Sequence, residues 1–192
     1  MSKGRLEAFS DGVLAIIITI MVLELKVPHT AKLSALAALA PAFMSYVLSF
    51  IFVGIYWNNH HHMLQTIKYV NGRTLWANMY LLFWLSLIPF ATAWMGENNF
   101  AEWPVALYGF VLLMCAIAYT ILGRSLVALH GSDSTLAKAL GRDRKGMISL
   151  VCYVIALPLC FVNTLFAALL FVGVAIMWLI PDSRIERTLS NP

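Results

Sequence analysis

The chain has 192 residues, of which 61% are hydrophobic and 11% charged, and its formal net charge is +4. Soluble domains carry about 25% charged residues, so this composition, with a mean hydropathy of +0.81, excludes a soluble fold and describes a polytopic membrane protein. The basic residues are scattered among connecting segments and form no stripe interleaved with exposed aromatics, which excludes nucleic acid as a partner.

At about 20 residues per membrane helix, the length admits six spans with short loops and leaves no room for a soluble domain, so residues 1–192 read as one transmembrane domain. Hydropathy places the spans at 6–25, 36–57, 74–95, 103–122, 147–161 and 164–180. The fold class predicted is all-α.

The first span opens on Arg5, Phe9, Ser10 and Asp11, a cation and a carboxylate at the mouth of an otherwise apolar run. Ionisable groups in such a place mark function. Asp11 interrupts the start of the apolar run, and residues 24–28 contain no small-x-small cleavage site, so the segment reads as a mature helix and not a signal peptide. At about 100° per residue, Arg5, Phe9, Gly12, Ile16, Thr19 and Leu23 fall along one stripe, with steps alternating between four and three. Such a stripe suits either core packing or a helix that faces an axis. Asp11 lies about 140° around the helix from Ile16 and faces away from that path. As a carboxylate in an apolar bundle it requires a partner, with Arg5, Asn58, His60 to His62, Arg73 and Asn78 as candidates at its depth. The other reading is a favourable anion in the first turns of a helix. Glu24, at the far end, either forms a carboxylate ring at a pore mouth or pairs with Lys26 or Lys32.

The second span ends in Asn58-Asn59-His60-His61-His62. Consecutive histidines point in different directions and lack the i, i+4 spacing of a shared metal ion, so no metal site is expected. A hydrogen bond to Asp11 or a pH-sensing role suits them better. Spans two to six carry no Asp, Glu, Lys or Arg in their apolar cores, which argues against an ion-coupled transporter with a charged midplane site. Pro41, Pro89 and Pro158 are ordinary for membrane helices. The last two spans divide at Val162-Asn163-Thr164, where Asn163 and Thr164 supply turn and capping chemistry; fused, they would run about 51 Å against a core of about 30 Å.

Charge bias sets the direction. With the N-terminus in the cytoplasm, every one of the 13 Lys and Arg residues except Lys26 and Lys32 is cytoplasmic, and so is the C-terminus. The loop from Gly96 to Glu102 is acidic and lies outside. Cys115, Cys152 and Cys160 lie in apolar stretches and read as buried small hydrophobes. No Gly-x-Ser-x-Gly, HExxH or phosphate-binding loop appears, so no enzyme activity and no cofactor is expected. The threonine-valine-glycine-tyrosine-glycine filter of common potassium channels is missing too.

The Arg5-x-x-x-Phe9-Ser10-Asp11 pattern, with Trp57-x-x-His60, Arg73, Trp76, Asn78 and Pro89-Phe90, resembles the six-helix prokaryotic branch of the transmembrane protein 175 family of potassium channels. The resemblance implies a homotetramer whose four first helices line a pore without a selectivity loop, narrowed by a ring of aliphatic side chains. By motif that ring falls at Ile16, five residues after the aspartate, and the stripe continues it to Thr19 or Ile20 and Leu23. A narrow apolar neck of this kind controls ions by dewetting. The resemblance also implies that Arg5, Ser10 and Asp11 brace the first helix through groups such as His60 and Asn78. The function expected is a potassium-selective leak channel of a bacterial plasma membrane, with potassium as the permeant ion and other monovalent cations, lipid and its own copies as partners. The alternative is a secondary transporter or proton-permeable carrier using Asp11 and a nearby histidine.

Overall fold

A computed structural model describes residues 2–134, 136–137 and 143–179. Every regular element among them is helical. In chain order these are α1 (Lys3–Leu23), α2 (Leu33–Ala37), α3 (Ala40–Gln65), α4 (Gly72–Ser86), α5 (Ile88–Glu97), α6 (Glu102–His130), α7 (Arg144–Leu159) and α8 (Thr164–Leu179). Four segments are long and apolar enough to cross a membrane: α1, α3, α4 with α5, and α6. The helices α7 and α8 have 16 residues each, about 24 Å of rise.

Local chemistry explains the boundaries. Asn71 caps α4 by accepting from the Thr74 amide at 2.9 Å, and Asp143 caps α7 by accepting from the Gly146 amide at 2.8 Å. The break between α4 and α5 falls just before Pro89, which has no amide hydrogen to give and crowds the carbonyl four residues back. At the C-terminus of α6 stands Gly131 with φ +91°, a backbone region open to glycine. The α7 and α8 helices are separate, and Asn163 accepts from the Leu165 amide at 2.9 Å in the turn between them.

Several predicted bounds move. The second span runs on from 57 to Gln65, because the Asn-Asn-His run is polar yet fully helical. The fourth runs on from 122 to His130 and carries Arg124 on the helix instead of in a loop. The short α2 has no counterpart in the predicted spans. Ile180, the expected end of the last span, and Lys138, Arg142, Arg184 and Arg187 lie outside the described residues.

The α6 helix is central, packing on α4, α5, α7 and α8, while α1 lies against α3, α4 and α5. Two close approaches set this packing. A Cβ added to Gly96 would stand 2.6 Å from the Ala42 Cα, so α5 meets α3 backbone to backbone. A Cβ added to Gly109 would stand 2.7 Å from the Phe171 ring, which fixes α6 against α8. In lipid, apolar contact between helices gains no hydrophobic free energy, so small residues and buried hydrogen bonds carry the association. One such knot joins three helices: the Ser49 hydroxyl lies 2.7 Å from that of Thr92 and 3.0 Å from that of Tyr108.

Candidate functional site

The α1 helix has two opposed faces. Leu6, Ser10, Leu14, Ile17 and Met21 are buried against the neighbouring helices. The stripe of Arg5, Phe9, Gly12, Ile16, Thr19 and Leu23 is exposed along its whole length, with Ile16 58% and Leu23 75% accessible. Ile20 flanks it and is exposed as well. Among the described residues this face has no partner. The Thr19 hydroxyl donates to the Ala15 carbonyl at 2.9 Å, so its hydrogen is spent on the helix. A Cβ added to Gly12 would meet nothing within 4 Å.

At the N-terminal end of α1 a directional chain of hydrogen bonds runs through three helices. The Ser10 hydroxyl donates to the Leu6 carbonyl at 2.9 Å, and the Asn78 amide nitrogen donates to the Ser10 oxygen at 3.0 Å. The Asn78 amide oxygen therefore faces His60, whose Nε2 lies 2.8 Å away. Since that oxygen can only accept, His60 Nε2 carries a proton, and Nδ1 has no hydrogen-bond partner among the described residues. Ser10, His60 and Asn78 are all buried, so none of these bonds has water as an alternative.

Asp11 belongs to a second, more open cluster. Its carboxylate accepts from the Trp57 indole Nε1 at 3.1 Å, and the Trp57 ring stacks on His61 at 5.9 Å between centroids. His61 in turn lies 3.3 Å from the Glu7 carboxylate and 2.8 Å from the Gln65 side-chain nitrogen. This corrects the partner expected for Asp11: Trp57 takes the place that the amides, arginines and histidines were expected to fill. By residue type a carboxylate suggests a charged or amide partner, and it is the packing of α3 on α1 that brings the Trp57 indole to Asp11. The Arg5 side chain is exposed and forms no hydrogen bond or ion pair among the described residues.

At the opposite end Glu24 is exposed and lies off the Ile16 stripe, in a cleft with Met21, Ala42, Tyr46, Pro89 and Glu97. Lys26 forms an ion pair with Glu97, joining the segment after α1 to the end of α5. That carboxylate, first by its hydrogen bond and then by its charge, holds the Lys26 ammonium above its ordinary range.

The family model described as "Endosomal/lysosomal potassium channel TMEM175" matches residues 5–89, the stretch that holds α1 and both clusters. A potassium channel of Chryseobacterium sp. is 55% identical over 191 residues, covering 100% of both chains. A potassium channel of Streptomyces collinus is 35% identical over 128 residues, covering 62% of each chain. The crystal structure of a lysosomal potassium-selective channel TMEM175 homolog from Chamaesiphon minutus superposes with a TM-score of 0.80 at 28% identity, covering 93% of this chain and 96% of that one.

Proposed function

This chain belongs to the TMEM175 family of ion channels, and on that premise we propose that it is a potassium-selective leak channel of a bacterial plasma membrane. Four copies assemble with α1 of each against a common axis, and six spans per subunit place both termini in the cytoplasm. The observation that carries this reading is the unpartnered α1 face, apolar along a helix whose opposite face is packed. One protomer offers a single wall, so a pore needs a closed ring of copies.

In that ring Ile16 forms the constriction, with Thr19, Ile20 and Leu23 lining the path beyond it. Branched side chains at a narrow neck exclude water, and an ion passes only as far as it surrenders hydration. A cation that dehydrates more cheaply crosses more readily, which favours potassium over sodium without a carbonyl filter. The Ser10–Asn78–His60 chain holds the base of α1 at a fixed azimuth. Asp11, turned toward Trp57, stays off the conducting path. Glu24 lies at the outer mouth, off the lining stripe, where its charge draws cations toward the entrance.

Cysteine accessibility tests the lining. With cysteine at Ile16 or Leu23, a water-soluble thiol reagent should block the potassium current in planar bilayers; with cysteine at Leu14 or Met21 it should not. Block at the buried positions and none at the exposed ones would reverse the assignment of faces.

A further inference from the structure

A second site lies away from α1, in the groove between α4 and α6. Arg73, Ala77 and Tyr80 line it from α4 at steps of four and three, and Ile121, Arg124 and Ser125 line it from α6. The two helices are joined there by the Thr74 and Ser125 hydroxyls, 3.3 Å apart. Both arginines are exposed, and neither side chain forms an ion pair or hydrogen bond with any described residue. Arg124 is not at a helix tip: α6 continues to His130, about 9 Å further.

Two guanidinium groups without carboxylates, one near the start of α4 and one about 33 Å along α6 from Glu102, stand at the level of the headgroups, where each favours an anionic lipid. The groove constrains which anion. Its charged mouth gives way to Ala77, Tyr80 and Ile121, a wall that suits hydrocarbon. Trp76, 77% exposed beside Arg73, is of the type that settles at the headgroup level. The planar fork of arginine matches phosphate oxygens in pairs.

We propose that this groove binds an anionic phospholipid of the cytoplasmic leaflet, its phosphate between Arg73 and Arg124 and an acyl chain along Tyr80 and Ile121. The placement in that leaflet rests on the membrane orientation proposed above. Such a lipid would staple α4 to α6, and through α4 would support the Asn78 contact that holds α1.

The test is native mass spectrometry of protein released from nanodiscs that hold phosphatidylglycerol and phosphatidylcholine in equal amounts, with potassium flux measured on the same preparations in vesicles. The wild type should retain phosphatidylglycerol preferentially. The double variant Arg73→Gln/Arg124→Gln should lose that retention roughly tenfold or more, from two contacts of the strength of basic residues at anionic lipid, and Arg73→Lys/Arg124→Lys should keep most of it. Unchanged retention in the glutamine variant would overturn the proposal, as would equal retention of phosphatidylcholine by the wild type. Displacement by glycerol phosphate as effective as by intact lipid would assign the site to free phosphate instead and overturn the lipid reading. Loss of the oligomer with lipid retention intact would make the groove a contact between copies, and also overturn it. Absent flux with retained phosphatidylglycerol would count against the channel reading alone.

Discussion

Asn78 is the residue on which the base of α1 depends most. It accepts from His60 and donates to Ser10, so one amide joins three helices with both of its ends. Asn78→Ala leaves the buried His60 N–H without an acceptor, which costs about 1 to 3 kcal/mol, and a lowered midpoint of thermal unfolding in detergent should report it. A midpoint equal to wild type would show that the chain of bonds carries no stability. Asp11 calls for a paired test, because its partner is an indole N–H that an amide oxygen can also receive. Asp11→Asn should keep the oligomer on size exclusion and Asp11→Ala should lower it; equal loss in both would assign the role to charge instead of the hydrogen bond. Ser10, Asp11, His60 and Asn78 were legible as types in the sequence, being polar groups in apolar company, whereas the Trp57 indole was not. Their pairing was not, because it depends on helix azimuths that only packing sets: His60 turns to Asn78 while His61, one residue on, turns to Glu7.

At the scale of elements, four spans readable from hydropathy match helical segments long and apolar enough to cross a membrane, and their ends were not readable. Polar residues at 58–62 and 124 look like loop, yet α3 and α6 continue through them, because backbone hydrogen bonds in a bilayer are satisfied within the helix whatever the side chain. The stripe on α1 followed from a period of about 3.6 residues, but two azimuths of an apolar helix look alike in sequence, and only the packing of Leu6, Leu14, Ile17 and Met21 tells the buried one from the free one. The close approaches were hidden as well. Gly96 reads as the start of an acidic loop although α5 runs through it, and Gly109 sits in an apolar run like Gly12, which faces open space. Gly96→Ala would press a methyl into the α3 backbone, at a cost of about 1 to 3 kcal/mol, whereas Gly12→Ala should be neutral or slightly stabilising through helix propensity. Thermal unfolding of the two variants side by side checks this, and equal midpoints would show that α3 and α5 can separate without loss.

At the scale of the molecule, the apolar face of α1 and the polar base beneath it divide one task. In the proposed channel the base fixes the azimuth of the helix, and the face sets what passes along it. An assembly of four subunits of 21.4 kDa each should appear in multi-angle light scattering after the detergent contribution is subtracted, and a monomer there would leave α1 with no wall opposite. The measurement that bears most directly on the whole is the reversal potential in a planar bilayer with potassium and sodium solutions opposed, wild type beside Ile16→Asn. A wild-type reversal close to the potassium equilibrium value, with larger current and a reversal nearer zero in the variant, is the expected result. Identical reversal potentials and conductances in the two proteins would contradict a selective constriction at Ile16.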